Sequence, residues 1–331
     1  MILRHGPDGQ YEIYGIGNDK ILSADPLGQV GSDWQFVGLG LGNDATDMLL
    51  RNTNTGAFEI YNLSQNTIVN AAPLGTVGLD WQVMGLGNFS DVPDVGGMML
   101  RNVNTGGLQV YDISNNQITG SNFLGMVGLN WQFSGVGNFS STGESDLLLR
   151  NSNTGGLEVY DIFNSQITNT AFIGTVGLDW QFSGVGNFSS VLGESDLLLR
   201  NANTGGLQVY NISNNQVTGS SFIGTVGLEW QFAGVAPISA PDVSDLVLRN
   251  VNTGAFQVYI IANNQVTGSA SLGTVGLDWQ LGGLAAAPLG GSTAQLMQAM
   301  AGFGGGAAGS LNAAPLGADA SQQTFLTAPN A

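Results

Sequence analysis

Hydrophobic and polar positions repeat along this chain about every fifty residues, and each period splits into four short runs. The first, at residues 48–52, 98–102, 147–151, 197–201 and 246–250, is consecutive Leu, Met or Val ending in Arg-Asn. An unbroken apolar run of that length predicts a strand covered on both faces. A turn of the type Asn-Thr-Asn-Thr-Gly follows; its Asn and Thr hydrogen-bond nearby backbone, and Gly56, Gly106, Gly155, Gly205 and Gly254 suit positive φ. In the second run, as at residues 58–63 and 157–162, apolar and polar residues alternate as in a half-exposed strand. After a Ser-Asn-Asn-Gln-type turn (114–117, 213–216) comes a third run, 166–174 in one copy, read as shorter, polar and outermost. The fourth, 131–139 and 180–188, has glycine at alternate places, a mark of another backbone close by.

Two anchors fix the repeat. Arg4, Arg51, Arg101, Arg150, Arg200 and Arg249 are each followed thirty residues later by Trp34, Trp81, Trp131, Trp180, Trp230 and Trp279. The distance from each Trp to the next Arg varies between 17 and 20 residues. Constant length implies a rigid folded part and variable length a tolerant surface loop. Four strands per period is the signature of a propeller blade; helical periodicity is missing. The prediction is an all-β fold, a six-bladed β-propeller of four-stranded antiparallel blades with the glycine-rich run innermost. The chain opens in mid-repeat, so residues 279–284 are expected to supply the inner strand of the N-terminal blade, removing two free edges. A chain that is a fragment of something longer would also open there.

The propeller is expected over residues 1–289. Residues 290–331, rich in Gly, Ala, Ser, Thr and Gln, read as a low-complexity tail with one amphipathic scrap at 294–303. Charged residues are 9% of the chain and the formal net charge is −17, which argues against nucleic acid and anionic membrane as partners. Six of the seven basic residues are the repeat arginines and the seventh is Lys20, so no basic patch remains. No cysteine, no eighteen-residue apolar run and no apolar leader at the N-terminus occur. An acidic, cysteine-free chain with an uncharged C-terminal tail resembles substrates of bacterial type I secretion, which implies an extracellular or cell-surface location.

The segment WQFSGVGNFSSTGESDLLLRNSNTG at 131–155 resembles the FG-GAP/VCBS repeat propellers of bacteria, and the resemblance covers all six units. In that family an aspartate-rich loop binds Ca²⁺ through oxygens at alternate positions. The residues at matching places are Asn138, Glu144 and Asp146 in the third loop, and Asn187, Glu194 and Asp196 in the fourth. The first loop keeps Asp44 and Asp47, the fifth Asp242 and Asp245; the second keeps Asp91 and Asp94 but has Gly97 last. Calcium favours six to eight oxygens with several carboxylates. Two readings stand: degenerate calcium loops, or polar turns in which the Asp before the apolar strand accepts backbone N–H groups.

The six tryptophans, Trp34, Trp81, Trp131, Trp180, Trp230 and Trp279, invite a lectin reading with one aromatic platform and one Arg per blade. The competing expectation wedges each Trp between blades and pairs each Arg with the residue before Trp: Asp33, Asp80, Asp179, Glu229 or Asp278, with Asn130 the exception. The Tyr ten residues after each Arg, as at Tyr61 and Tyr160, reads as packing. An enzyme is not expected: His5 is the sole histidine, the acids recur at repeated positions rather than as a unique pair, and the glycine-rich runs lack a following helix. No cofactor is required on this reading. The function expected is a binding or scaffold module engaging a protein or carbohydrate surface; the alternatives are a passive structural repeat and a multivalent lectin.

Overall fold

The structure, a computed structural model, describes residues 1–41, 47–240 and 243–285. Among these residues there are six four-stranded antiparallel sheets and no helix. Blade 4 shows the plan from the axis outward: Trp131–Gly137, Asp146–Asn151, Gly156–Phe163 and Gln166–Thr175. Blades 2, 3, 5 and 6 begin their inner strands at Trp34, Trp81, Trp180 and Trp230. Blade 1 is composite: Ile2–His5, Gln10–Gly17 and Lys20–Gln29 are joined by Trp279–Gly283, with Arg4 opposite Gln280 and His5 opposite Trp279. The two ends of the repeat array thus share one sheet, as the mid-repeat start implies.

Glycine on the inner strand is a packing requirement. A Cβ added at Gly135 would lie 2.4 Å from Val185 Cγ2 of the next blade, and one at Gly184 2.5 Å from Val235 Cγ2. The same intimacy crosses the closure, where an added Cβ at Gly234 would lie 2.6 Å from Leu284 Cδ1 and one at Gly283 2.6 Å from Phe36 Cζ. Phe133, Phe182 and Phe232 stagger along this wall with ring centroids 6.1 and 6.3 Å apart. Each unbroken apolar run, such as Leu147–Leu149 or Leu197–Leu199, is fully buried because both of its faces meet a neighbouring blade. Burying one such Leu stabilises the fold by about 1.5–3 kcal/mol. Five apolar clusters fill the blade interfaces, the largest spanning blades 1 to 3.

Turn chemistry fixes the strand ends. Asn151 Oδ1 accepts the N–H groups of Asn153 and Thr154, and Gly155 sits at φ 76° with Val176 O where a Cβ would be. The hairpin between third and outer strands has two central residues at positive φ in every blade, for instance Asn164 and Ser165, the geometry of a type I′ turn. The outer strand departs from expectation in length: at ten residues it is the longest of its blade rather than a shorter one. Register shifts at Leu157/Glu158 and Asp161/Ile162 absorb the extra residues and let pairing run its full length.

Candidate functional site

Strand alternation puts the variable loops and the type I′ turns on one face of the ring. The Arg-Asn turns and the connections to the next blade lie on the other. On the loop face, neighbouring blades are tied together. Ser165, Asn215 and Asn264, each in the turn of one blade, donate their N–H to the carbonyls of Phe89, Phe139 and Phe188 in the loop of the preceding blade. Those phenylalanines are fully buried and anchor the loops. A second set of bonds joins Asn138 N–H to Ser195 Oγ (2.8 Å) and Asn187 N–H to Ser244 Oγ (3.0 Å).

The carboxylates at the start of the second strand serve these loops. Asp146 Oδ2 accepts Ser140 N–H (2.7 Å) and its Oδ1 accepts Ile162 N–H (3.3 Å). Asp196 Oδ2 accepts the N–H groups of Phe188 and Ser189, and Oδ1 accepts Asn211 Nδ2. Asp245 repeats the pattern with Ile238, Ser239 and Ile261, and Asp47 Oδ1 accepts Asn62 Nδ2 (2.8 Å). Burial pushes Asp146 up to about 7 and Asp196 up to about 6, against the opposing pull of these donors; Asp245 is also raised by burial.

These donors aim at the lone pairs a cation would need, and Asn138 Oδ1 is likewise taken by Gly143 N–H. Asn187 Oδ1 accepts Ser189 Oγ–H (3.3 Å), and Glu194 meets the same hydroxyl at 3.4 Å. Glu144 keeps one buried oxygen without a partner. Among the described residues no three His, Cys, Asp or Glu converge as a metal set. Asp44 and Asp242 lie outside the described residues. The loop face also carries a shallow depression of about 410 Å³ between blades 5 and 6, lined by Ser189, Glu194, Asn211, Thr218, Asn263 and Asn264.

On the opposite face the arginines correct an expectation. Arg150 Nη2 donates to Gly177 O, Arg101 to Gly128 O, Arg200 to Gly227 O, and Arg249 to both Gly276 O and Trp279 O. None pairs with the acid before Trp; among the described residues the ion pairs are both made by His5. Three of the acids instead accept from the Asn beside an Arg: Asp33 from Asn52, Asp80 from Asn102 and Asp179 from Asn201. Each Arg reaches across to the connection entering the next blade, and this accounts for the invariant thirty-residue spacing. All six tryptophans are half-buried against the interblade clusters. Tyr160 is fully buried, and Tyr61 hydrogen-bonds Glu59.

His5 takes the place that Asn fills in the other repeats. Its Nε2 meets Asp278 Oδ2 at 2.9 Å where Asn52 meets Asp33, and its Nδ1 meets Asp8 Oδ1 at 2.6 Å. Its ring also lies 5.1 Å from that of Trp279. This cluster marks the closure of the ring. The sequence signal for this place is the alignment of Arg4-His5 with Arg51-Asn52 in the repeat.

No protein-family model and no curated protein matches the chain. Among solved structures, a chain of a nidogen/laminin complex superposes with a TM-score of 0.51 at 13% identity, covering 81% of this chain and 92% of that one. The β-propeller domain of Cps50 (Swd1) from Myceliophteria thermophila gives 0.47 at 11% identity over 80% of each chain. The first likeness agrees with the topology above: the molecule is a six-bladed β-propeller closed by its own terminal strands.

Proposed function

We propose that this chain is a non-enzymatic binding module of a secreted or surface protein, engaging a protein or carbohydrate surface through its loop face. The observation that carries this reading is the tying of three consecutive loops to the turns of the next blades by Ser165, Asn215 and Asn264. Such cross-blade bonds give a pre-ordered surface, which lowers the entropic cost of binding. The depression between blades 5 and 6 adds amide, hydroxyl and carboxylate groups without an acid–base pair. An acidic, cysteine-free composition supports the location and disfavours nucleic acid.

Passive structure is the second reading, favoured because the repeated Asp, Asn and Arg side chains are engaged in internal bonds. Glycan-array binding by the purified chain, with and without calcium, separates these. Binding lost when Glu194 and Asn264 are replaced by Ala supports the module. A blank array supports the passive reading over a lectin, and a calcium-dependent rise in Tm would support the metal loops.

A further inference from the structure

The outer strands of blades 3, 4 and 5 each present a phenylalanine to solvent. Phe123, Phe172 and Phe222 are 60%, 65% and 62% exposed, at the same register position of three consecutive blades. Each ring lies over a glycine: a Cβ at Gly107, Gly156 or Gly206 would sit 3.1 Å from the ring's Cε2. The pairing is selective. Where the rim residue is Pro26, Pro73 or Ser271, the residue in the glycine's place is Gln10, Ala57 or Ala255. Three rings bedded on glycine and left open are an arrangement that internal packing does not call for.

Apolar surface continues beside them. Leu129, Leu178 and Leu228, in the connections that follow, are 55–58% exposed, as are Leu79 and Leu277 after blades 2 and 6, so the leucines are common to the rim and the phenylalanines set blades 3 to 5 apart. Backbone adds a second signal. These strands are the last of their sheets, so their outward N–H and C=O groups have no strand partner. Natural edges are blunted by charge, proline or bulges; each of these strands has two register shifts, one beside its phenylalanine, and keeps its outward groups open between them. Blade 1 carries Lys20, Asp25 and Pro26 on its outer strand and blade 2 carries Pro73; those of blades 3 to 6 have neither, and of these only blades 3 to 5 add the phenylalanine.

We propose that the rim of blades 3 to 5 binds an extended polypeptide segment by strand addition, with apolar side chains of the segment seated on the phenylalanines and Lys or Arg beside them. Main-chain pairing selects polypeptide over glycan. Charge selects a basic segment: the net charge is −17, Asp179 and Glu229 follow Leu178 and Leu228, and Arg150 and Arg200 are committed to carbonyls. Three equivalent edges give room for three segments, or for one partner bearing several. This surface is separate from the loop face, and its failure would leave the loop-face reading untouched.

The test uses the full chain and two ten-residue probes, one alternating Lys and Val and one alternating Glu and Val, with Kd read by fluorescence anisotropy. Two triple variants accompany it: F123S/F172S/F222S, which uses the serine of blade 6, and F123P/F172P/F222P, which uses the proline of blades 1 and 2. Since both residues already occupy this register position in other blades, the folds survive, and an unchanged Tm checks it. The expected result is binding of the Lys/Val probe by the parent chain, at least tenfold weaker binding by the serine variant, none by the proline variant, and at least tenfold weaker binding of the Glu/Val probe. Equal affinity across parent and variants, equal affinity for both probes, or no binding of the Lys/Val probe at 1 mM overturns the proposal. Glycan binding abolished by the serine variant would reassign the rim to carbohydrate and overturn it too.

Discussion

At the scale of single residues, the chain repeatedly solves one problem, a buried polar group that must find partners. Asp146, Asp196 and Asp245 are buried and accept two or three donors each. Desolvation outweighs those donors, so the carboxyls of Asp146 and Asp196 are held near 7 and 6, respectively. A carboxyl raised above its unfolded value favours folding most below that value, and the contribution fades as pH rises through the folded pKa. Carbon-13 NMR titration of the aspartate carboxyls is expected to show Asp146 with a midpoint close to 7 and Asp196 close to 6. Midpoints near 4 would mean that the backbone donors dominate instead.

At the scale of elements, the strands were legible because their pattern is strict: unbroken apolar runs for the second strand, alternation for the third, glycines for the inner one. The outer strand was misjudged because its polar, small residues give little amplitude and its length depends on two register shifts that no local pattern announces. The partners of the arginines are hidden in the sequence for a related reason. Charge suggested a carboxylate, whereas the fold brings carbonyls such as Gly177 O within reach. Phe123, Phe172 and Phe222 look like ordinary strand residues until the register shows them at an open edge.

The seam between the first and last strands carries its own test. His5 is raised by its hydrogen bonds to Asp8 and Asp278, and both carboxyls are lowered by His5 and backbone N–H groups. The histidine contribution is full below its unfolded pKa and vanishes as pH rises through the folded value; the carboxylate contributions vanish only in acid, as pH falls through theirs. Both carboxylates face solvent and the imidazole between them is only half-buried, which keeps the effect small. Replacing His5 by the Asn of the other repeats is expected to lower Tm by a few degrees near pH 5 and to leave it nearly unchanged at pH 8. A difference independent of pH would show that the cluster contributes packing alone.

At the scale of the molecule, no blade stands by itself, since each buried Leu of a second strand packs against a neighbour. Leu198→Ala in blade 5 is expected to cost about 2–5 kcal/mol. Urea unfolding followed by tryptophan fluorescence and circular dichroism should shift as one coincident transition; separate transitions would mean that blades melt independently. What the ring adds beyond its blades is closure. NOE spectroscopy of the native chain tests closure most directly, through Leu3 and Leu281, which face each other on the joined terminal strands. Cross-strand NOEs between these two residues are expected, and their absence, with the intrablade NOEs intact, would contradict a closed ring.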